Sequence, residues 1–111
     1  MSHHDDTLRL RHVLEHAREA IALARDRTRS DLDADRLFGL GMTRLLEIIG
    51  EAAGRVSAGT RARLPDIPWA DVVGLRNRII HGYDSVDFDV MWDVIQLDLP
   101  PLAATIARSF E

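Results

Sequence analysis

From Leu8 onward, Leu10, Val13, Leu14, Ala17, Ala20, Ile21 and Ala24 recur at three- and four-residue steps, with Arg, His and Glu between them. That spacing predicts an amphipathic helix, with Asp5, Asp6 and Thr7 as candidates for its cap. The polar run over residues 26–35 is rich in turn and cap formers and marks a break. A second helix is predicted over residues 34–56. Its stripe is Leu37, Leu40, Gly41, Leu45, Ile48, Ile49, Ala52 and Val56, and the small residues Gly39, Gly41, Gly50 and Gly54 would let a neighbouring helix come close. Residues 57–68 contain Gly59, Pro65 and Pro68 and read as a loop with one short turn over 60–64. A third helix starts near Pro68, draws apolar surface from Trp69, Val72, Val73, Leu75, Ile79 and Ile80, and is expected to stop at Gly82. A fourth opens after Ser85 or Asp87. Pro100 and Pro101 are expected to kink or break it before a helical pattern resumes over 102–110. No stretch alternates at period two for long enough to make a sheet. The pattern predicts an all-α fold, an up-and-down bundle of four or five helices in one domain spanning residues 1–111.

Composition agrees with one core. A chain of 111 residues, 46% of them hydrophobic, buries roughly 65% of the surface it exposes when unfolded. The absence of cysteine excludes disulfides, thiolate metal sites and cysteine nucleophiles, and fits a reducing compartment. The longest uncharged stretch, residues 99–107, is half the length of a membrane span, and the first residues lack the features of a signal peptide. A cytoplasmic protein with no membrane partner is therefore expected. The net charge of -4 hides an asymmetry: residues 55–83 carry five basic and two acidic groups, whereas residues 84–111 carry one and six. All 14 basic residues are arginine, whose fixed fork of donors suits phosphate.

Two motif matches are weak. His12-Val13-Leu14-Glu15-His16 fits a zinc-peptidase pattern and places two histidines on one helical face, but the third ligand and the substrate cleft are missing. Gly39-Leu40-Gly41 lacks both the third glycine and the preceding strand of a dinucleotide fingerprint. Neither a metal nor a cofactor is expected.

The segment Gly74-Leu75-Arg76-Asn77-Arg78-Ile79-Ile80-His81-Gly82-Tyr83 is different, because polar groups of catalytic type interrupt the most apolar helix where it ends. Arginine can neutralise phosphate, histidine can exchange a proton near neutral pH, and tyrosine adds a hydroxyl. Together they suit RNA cleavage by the ribose 2′-hydroxyl, which needs a base, an acid and a cation but no metal. On a regular helix Arg76 and His81 would lie about 140° apart, whereas Arg78 and His81 would share a face, as would Arg76 and Tyr83 if the helix ran that far. A two-fold homodimer solves the separation: two copies of this helix end would meet in a composite groove holding two histidines. The bland alternative is that Arg76 pairs internally, with Asp71 or a carboxylate from another helix, while His81 and Tyr83 finish a buried helix.

Arg76-Asn77-x-x-x-His81 resembles the mark of the HEPN family of small helical proteins, and Tyr83 extends it to the pattern of the HepT toxin branch. Further matching stretches are Ile48-Ile49-Gly50-Glu51-Ala52-Ala53, Ile67-Pro68-Trp69, Val86-Asp87, Trp92-Asp93-Val94-Ile95 and Asp98-Leu99-Pro100 with Leu102. The resemblance implies a HEPN-like homodimeric bundle acting as a metal-independent endoribonuclease toxin. Arg76 and His81 would be its catalytic pair, with Asn77 and Arg78 in support. It also implies a minimal nucleotidyltransferase antitoxin that adds AMP to Tyr83, placing bulk and negative charge where RNA phosphate would bind. The acidic tail, with Asp84, Asp87, Asp89 and Asp93 close to the motif, motivates an alternative: a non-catalytic subunit that binds a nucleotidyltransferase or a nucleotide.

Overall fold

The computed structural model describes residues 3–111 and is helical along most of that length. Helix α1 (His3–Ala24) starts earlier than its apolar pattern suggests, so Asp5 and Asp6 lie within its first turn. A turn through Asp26, whose φ of 63° an aspartate tolerates, leads to the short α2 (Asp31–Ala34) inside the predicted break. Helix α3 (Arg36–Gly54) follows, with the Asp35 carboxylate accepting the Phe38 N–H at 3.2 Å.

The buried face of α3 is Phe38, Met42, Leu45, Leu46, Ile49, Ala52 and Ala53. This corrects the predicted stripe at its first turns, where Leu37 is 80% exposed and Leu40 is 51% exposed. Phe38 and Met42 take the core positions there, turning the two leucines outward. Close packing does use glycine, at two of the four positions expected: a Cβ on Gly39 would meet the Leu32 carbonyl oxygen at 2.8 Å, and one on Gly50 would meet that of Val72 at 3.2 Å. Gly41 faces open space, and a Cβ on Gly54 would make only ordinary contact.

The region 57–68 contains α4 (Ala58–Arg63), capped by Ser57. Buried Asp6 reaches across from α1 to accept the Ser57 N–H at 3.0 Å and the hydroxyls of Ser57 and Thr60. The third predicted helix is two short ones, α5 (Trp69–Val73) and α6 (Leu75–Ile79), stepped at Gly74. It ends three residues before Gly82, at the pair of β-branched isoleucines, where Ile80 is already extended. Strands β1 (Ile80–Gly82) and β2 (Ser85–Val86) then form an antiparallel hairpin with a bulge, pairing Ile80 with Val86 and Gly82 with Ser85. The expectation of no sheet therefore fails locally, since two short strands leave too brief an alternation to register as a period.

Asp87 caps α7 (Phe88–Asp93). The kink or break expected at Pro100 and Pro101 takes the form of an interruption just before them. Residues Val94–Asp98 form a π-helical turn, and both prolines fall in the first turn of α8 (Leu99–Ser109), where the missing donors cost least. Helix α1 packs along α3 and α8, and α3 carries α5 and α6 on another side. Leu46, Ile49, Leu75, Ile79, Met91 and Ile106 are among the side chains buried between them. The architecture is an all-α bundle with one two-stranded hairpin. No helix among the described residues is long and apolar enough to cross a membrane.

Candidate active site

The sequence segment singled out for its chemistry spans α6, β1 and the hairpin turn. Ile79 and Leu75 anchor α6 in the core, which leaves Arg76 and Asn77 exposed and Arg78 half-buried on its outer side. Each cation then meets a carboxylate from a different element. Arg76 donates through Nε to Glu47 Oε2 of α3 at 3.4 Å. Arg78 donates through Nη2 to Asp98 of the π turn at 3.4 Å. His81 Nε2 lies 3.6 Å from Asp87 Oδ2 at the start of α7. Of the two internal pairings considered for Arg76, the one with another helix is present, through Glu47.

Because α6 stops at Ile79, His81 and Tyr83 do not finish a buried helix. His81 keeps 54% of its side-chain surface exposed, and Tyr83 is fully exposed in the turn between the strands. The helical argument placed Arg76 and Tyr83 on one face only if the helix ran on. The hairpin achieves the same juxtaposition by turning back: both residues line a groove of about 690 Å³ between α3 and the hairpin, with Leu40, Thr43, Glu47 and Phe88. His81, at the intervening strand position, is not among the residues lining it. Arg76 and His81 thus pair with different carboxylates, Glu47 and Asp87.

The family described as Ribonuclease HepT-like matches residues 13–109. The chain belongs to the HepT-like ribonuclease family. It is 32% identical over 102 residues to "Putative RNase MJ1380" of Methanocaldococcus jannaschii, covering 92% of this chain and 94% of that one. It is 36% identical over 93 residues to "Probable ribonuclease HepT" of Thermococcus cleftensis, covering 80% and 84%. No solved structure matches. Membership and these relatives support a ribonuclease function, with RNA as the class of substrate.

Against that background, the charge of this HepT-like groove is notable. Arg36 and Arg76 on its walls face three carboxylates, Asp33, Glu47 and Asp84. Of the basic middle of the sequence, Arg76 and Arg78 are thus paired with carboxylates distant in sequence, whereas Arg61 donates to the carbonyls of Ala53, Gly54 and Val56. Glu47, Asp87 and Asp98 were not singled out by sequence reasoning as members of the site. Only Asp87 carried a local signal, as a cap preceding the apolar run of α7.

The N-terminal histidine pair lies apart from this region. His16 Nδ1 is 2.7 Å from the His12 carbonyl oxygen, and the two rings meet edge-on with centroids 6.4 Å apart. Among the described residues, no group of three His, Asp or Glu side chains is placed to hold a metal ion.

Proposed function

We propose that this chain is a metal-independent endoribonuclease toxin, cutting RNA with Arg76 and His81 and silenced by AMP addition to Tyr83. The observation that carries the reading is the display of the motif: in a HepT-like family member, Arg76, His81 and Tyr83 are all open to solvent around one hairpin.

The chemistry follows from the side chains. A base takes the proton of the ribose 2′-hydroxyl, and the 2′ oxygen attacks phosphorus. The bond to the 5′ oxygen breaks as an acid protonates that oxygen, leaving a 2′,3′-cyclic phosphate and a 5′-hydroxyl. An arginine beside the phosphate stabilises the charge that builds up at five-coordinate phosphorus. Base, acid and cation are all side chains, so the reaction calls on neither metal nor cofactor. One imidazole cannot be both unprotonated base and protonated acid at the same instant. A two-fold homodimer supplies two, and it brings Arg76 of one copy towards His81 of the other. Asn77 and Arg78 support the site.

Tyr83 suits the role of a modification site because its hydroxyl is fully accessible. A minimal nucleotidyltransferase antitoxin would join the Tyr83 oxygen to the α-phosphorus of ATP, releasing pyrophosphate. The added phosphate places negative charge beside Arg76, competing with RNA. Toxin and antitoxin would meet in the cytoplasm.

The test is incubation of the purified chain with total and transfer RNA in the presence of a chelator. Wild type is expected to yield fragments ending in cyclic phosphate, and Arg76→Ala and His81→Ala none. Full cleavage by either variant overturns the assignment. The pairing of Arg76, Arg78 and His81 with carboxylates favours one other reading, a non-catalytic subunit that binds a nucleotidyltransferase or a nucleotide. That reading predicts a stable complex and no cleavage.

A further inference from the structure

Asp87 occupies a position with two separable duties. Its Oδ1 accepts the Val90 N–H at 3.0 Å and so caps α7, while its Oδ2 faces His81 Nε2 across the hairpin at 3.6 Å. Its own backbone N–H donates to the Ile79 carbonyl at 2.7 Å, where α6 gives way to β1. The residue is therefore fixed from both sides: by the end of the helix that carries Arg76 and by the start of α7. Its side chain is two-thirds covered, whereas the imidazole that it faces is more than half exposed. A partly shielded carboxylate fixed from both sides, beside a solvent-facing imidazole, is an arrangement that orients the ring.

We infer that Asp87 is the positioning residue for His81, holding the Nε2 edge of the ring so that the Nδ1 edge is presented to RNA. The inference rests on the ribonuclease reading for its catalytic consequence, but the pairing itself can be measured without activity. Among the described residues, Asp87 is the only carboxylate within 4.0 Å of the His81 ring nitrogens. The other charged groups on the surrounding elements are Arg76 and Arg78 on α6, Asp84 in the turn, and Asp89 in the first turn of α7. The lowered pKa of Asp87 fits the same geometry: the Val90 N–H, and after it the nearby imidazole, hold its carboxyl below the usual value.

The two duties come apart on substitution. Asparagine caps a helix as well as aspartate does, so Asp87→Asn keeps the cap and removes the charge, whereas Asp87→Ala removes both. If Asp87 serves His81, Asp87→Asn melts close to wild type yet cleaves RNA at least roughly tenfold more slowly, with the loss in kcat and little in KM. Asp87→Ala should lose activity to the same degree and stability besides. The His81 ring-proton signal in NMR spectra of wild type and Asp87→Asn, expected to move on the substitution, tests the pairing even if no RNA is cut. Superimposable His81 ring signals overturn the inference. So does an Asp87→Asn enzyme with wild-type kcat. If wild type itself cleaves nothing while the ring signal still shifts, the ribonuclease reading fails and the pairing stands.

Discussion

Glu47 holds Arg76 by Nε, at 3.4 Å, leaving the terminal fork of a 64% exposed guanidinium open to a phosphate. The carboxylate is the less exposed partner, at 20%, so it is fixed in place more than the arginine is. It aims Arg76 towards the groove, and its charge competes with RNA for the same cation. Replacing Glu47 by Gln keeps the shape and removes the competition. The expected result is a KM for RNA lowered roughly two- to fivefold, the range of a surface ion pair, with kcat within about twofold of wild type. Because phosphate contacts are salt-dependent, the two proteins must be compared at one ionic strength. A raised KM would mean that Glu47 orients Arg76 more than it competes.

A composite groove that uses both histidines leads to a mixing experiment. Arg76 lines the groove beside α3, whereas His81 pairs with Asp87. When equal amounts of wild type and His81→Ala chains are unfolded and refolded together, half of the dimers are mixed and carry a single His81. If both histidines act in one groove, about a quarter of the activity of an all-wild-type sample should remain, from the wild-type homodimers alone. If each chain holds its own complete site, about half should remain. Light scattering of wild type supplies the companion measurement, since a strict monomer at micromolar concentration would sink the composite groove.

The long amphipathic helices were legible because their apolar positions repeat over several turns. Helix α3 falls within two residues of its predicted ends, and Asp35 and Asp87 cap where polar residues precede apolar runs. What the pattern concealed was decided by tertiary contact. Leu37 and Leu40 fit the helical stripe yet face outward, because Phe38 and Met42 fill the core beside them. The hairpin is too short to carry a period of its own, so the helix expected to run on to Gly82, with His81 on it, ends at Ile79. The residues of the candidate site itself were identifiable from their chemistry, but their partners were not. Glu47 lies 29 positions before Arg76, and Asp98 lies 20 after Arg78; no local spacing connects them.

Asp6 gives a prediction about acid stability. It is 3% exposed and accepts hydrogen bonds from the Ser57 hydroxyl, the Thr60 hydroxyl and the Ser57 N–H, which together hold its carboxyl down at about 2, from an ordinary 3.8. A carboxyl depressed by folding stabilises the folded state wherever it is ionised there, fully so above its unfolded value. The contribution from Asp6 is therefore complete above about pH 4 to 5 and disappears as the pH falls towards 2. Asp6→Asn should lower the melting temperature by several degrees near neutrality, a size typical of losing charge-assisted hydrogen bonds in a domain of about this length. The gap between the two melting curves should narrow from pH 4 downward and close near pH 2. A gap independent of pH would show that the carboxylate charge contributes nothing at this junction of α1 and α4.

The exposure of Tyr83 bears on how the activity would be restrained. The ring stands clear of the protein in a turn that β1 and β2 hold over the groove, and the groove wall opposite includes Arg36 and Arg76. A phosphate joined to the Tyr83 oxygen would share the groove with those arginines, so the proposed modification would act by occupying the cation proposed to hold RNA. On that reading the phenol oxygen is required for the restraint and not for the cleavage chemistry. Tyr83→Phe should therefore cleave RNA within about threefold of wild type, since it removes no group that acts in the transition state. It should take up no labelled AMP from a cognate nucleotidyltransferase with ATP, and it should remain active after that treatment while wild type is silenced. Intact-mass measurement distinguishes the outcomes, because each AMP adds one nucleotide mass to wild type and none to Tyr83→Phe. Silencing of both proteins alike, or labelling of Tyr83→Phe, would move the restraint to another residue.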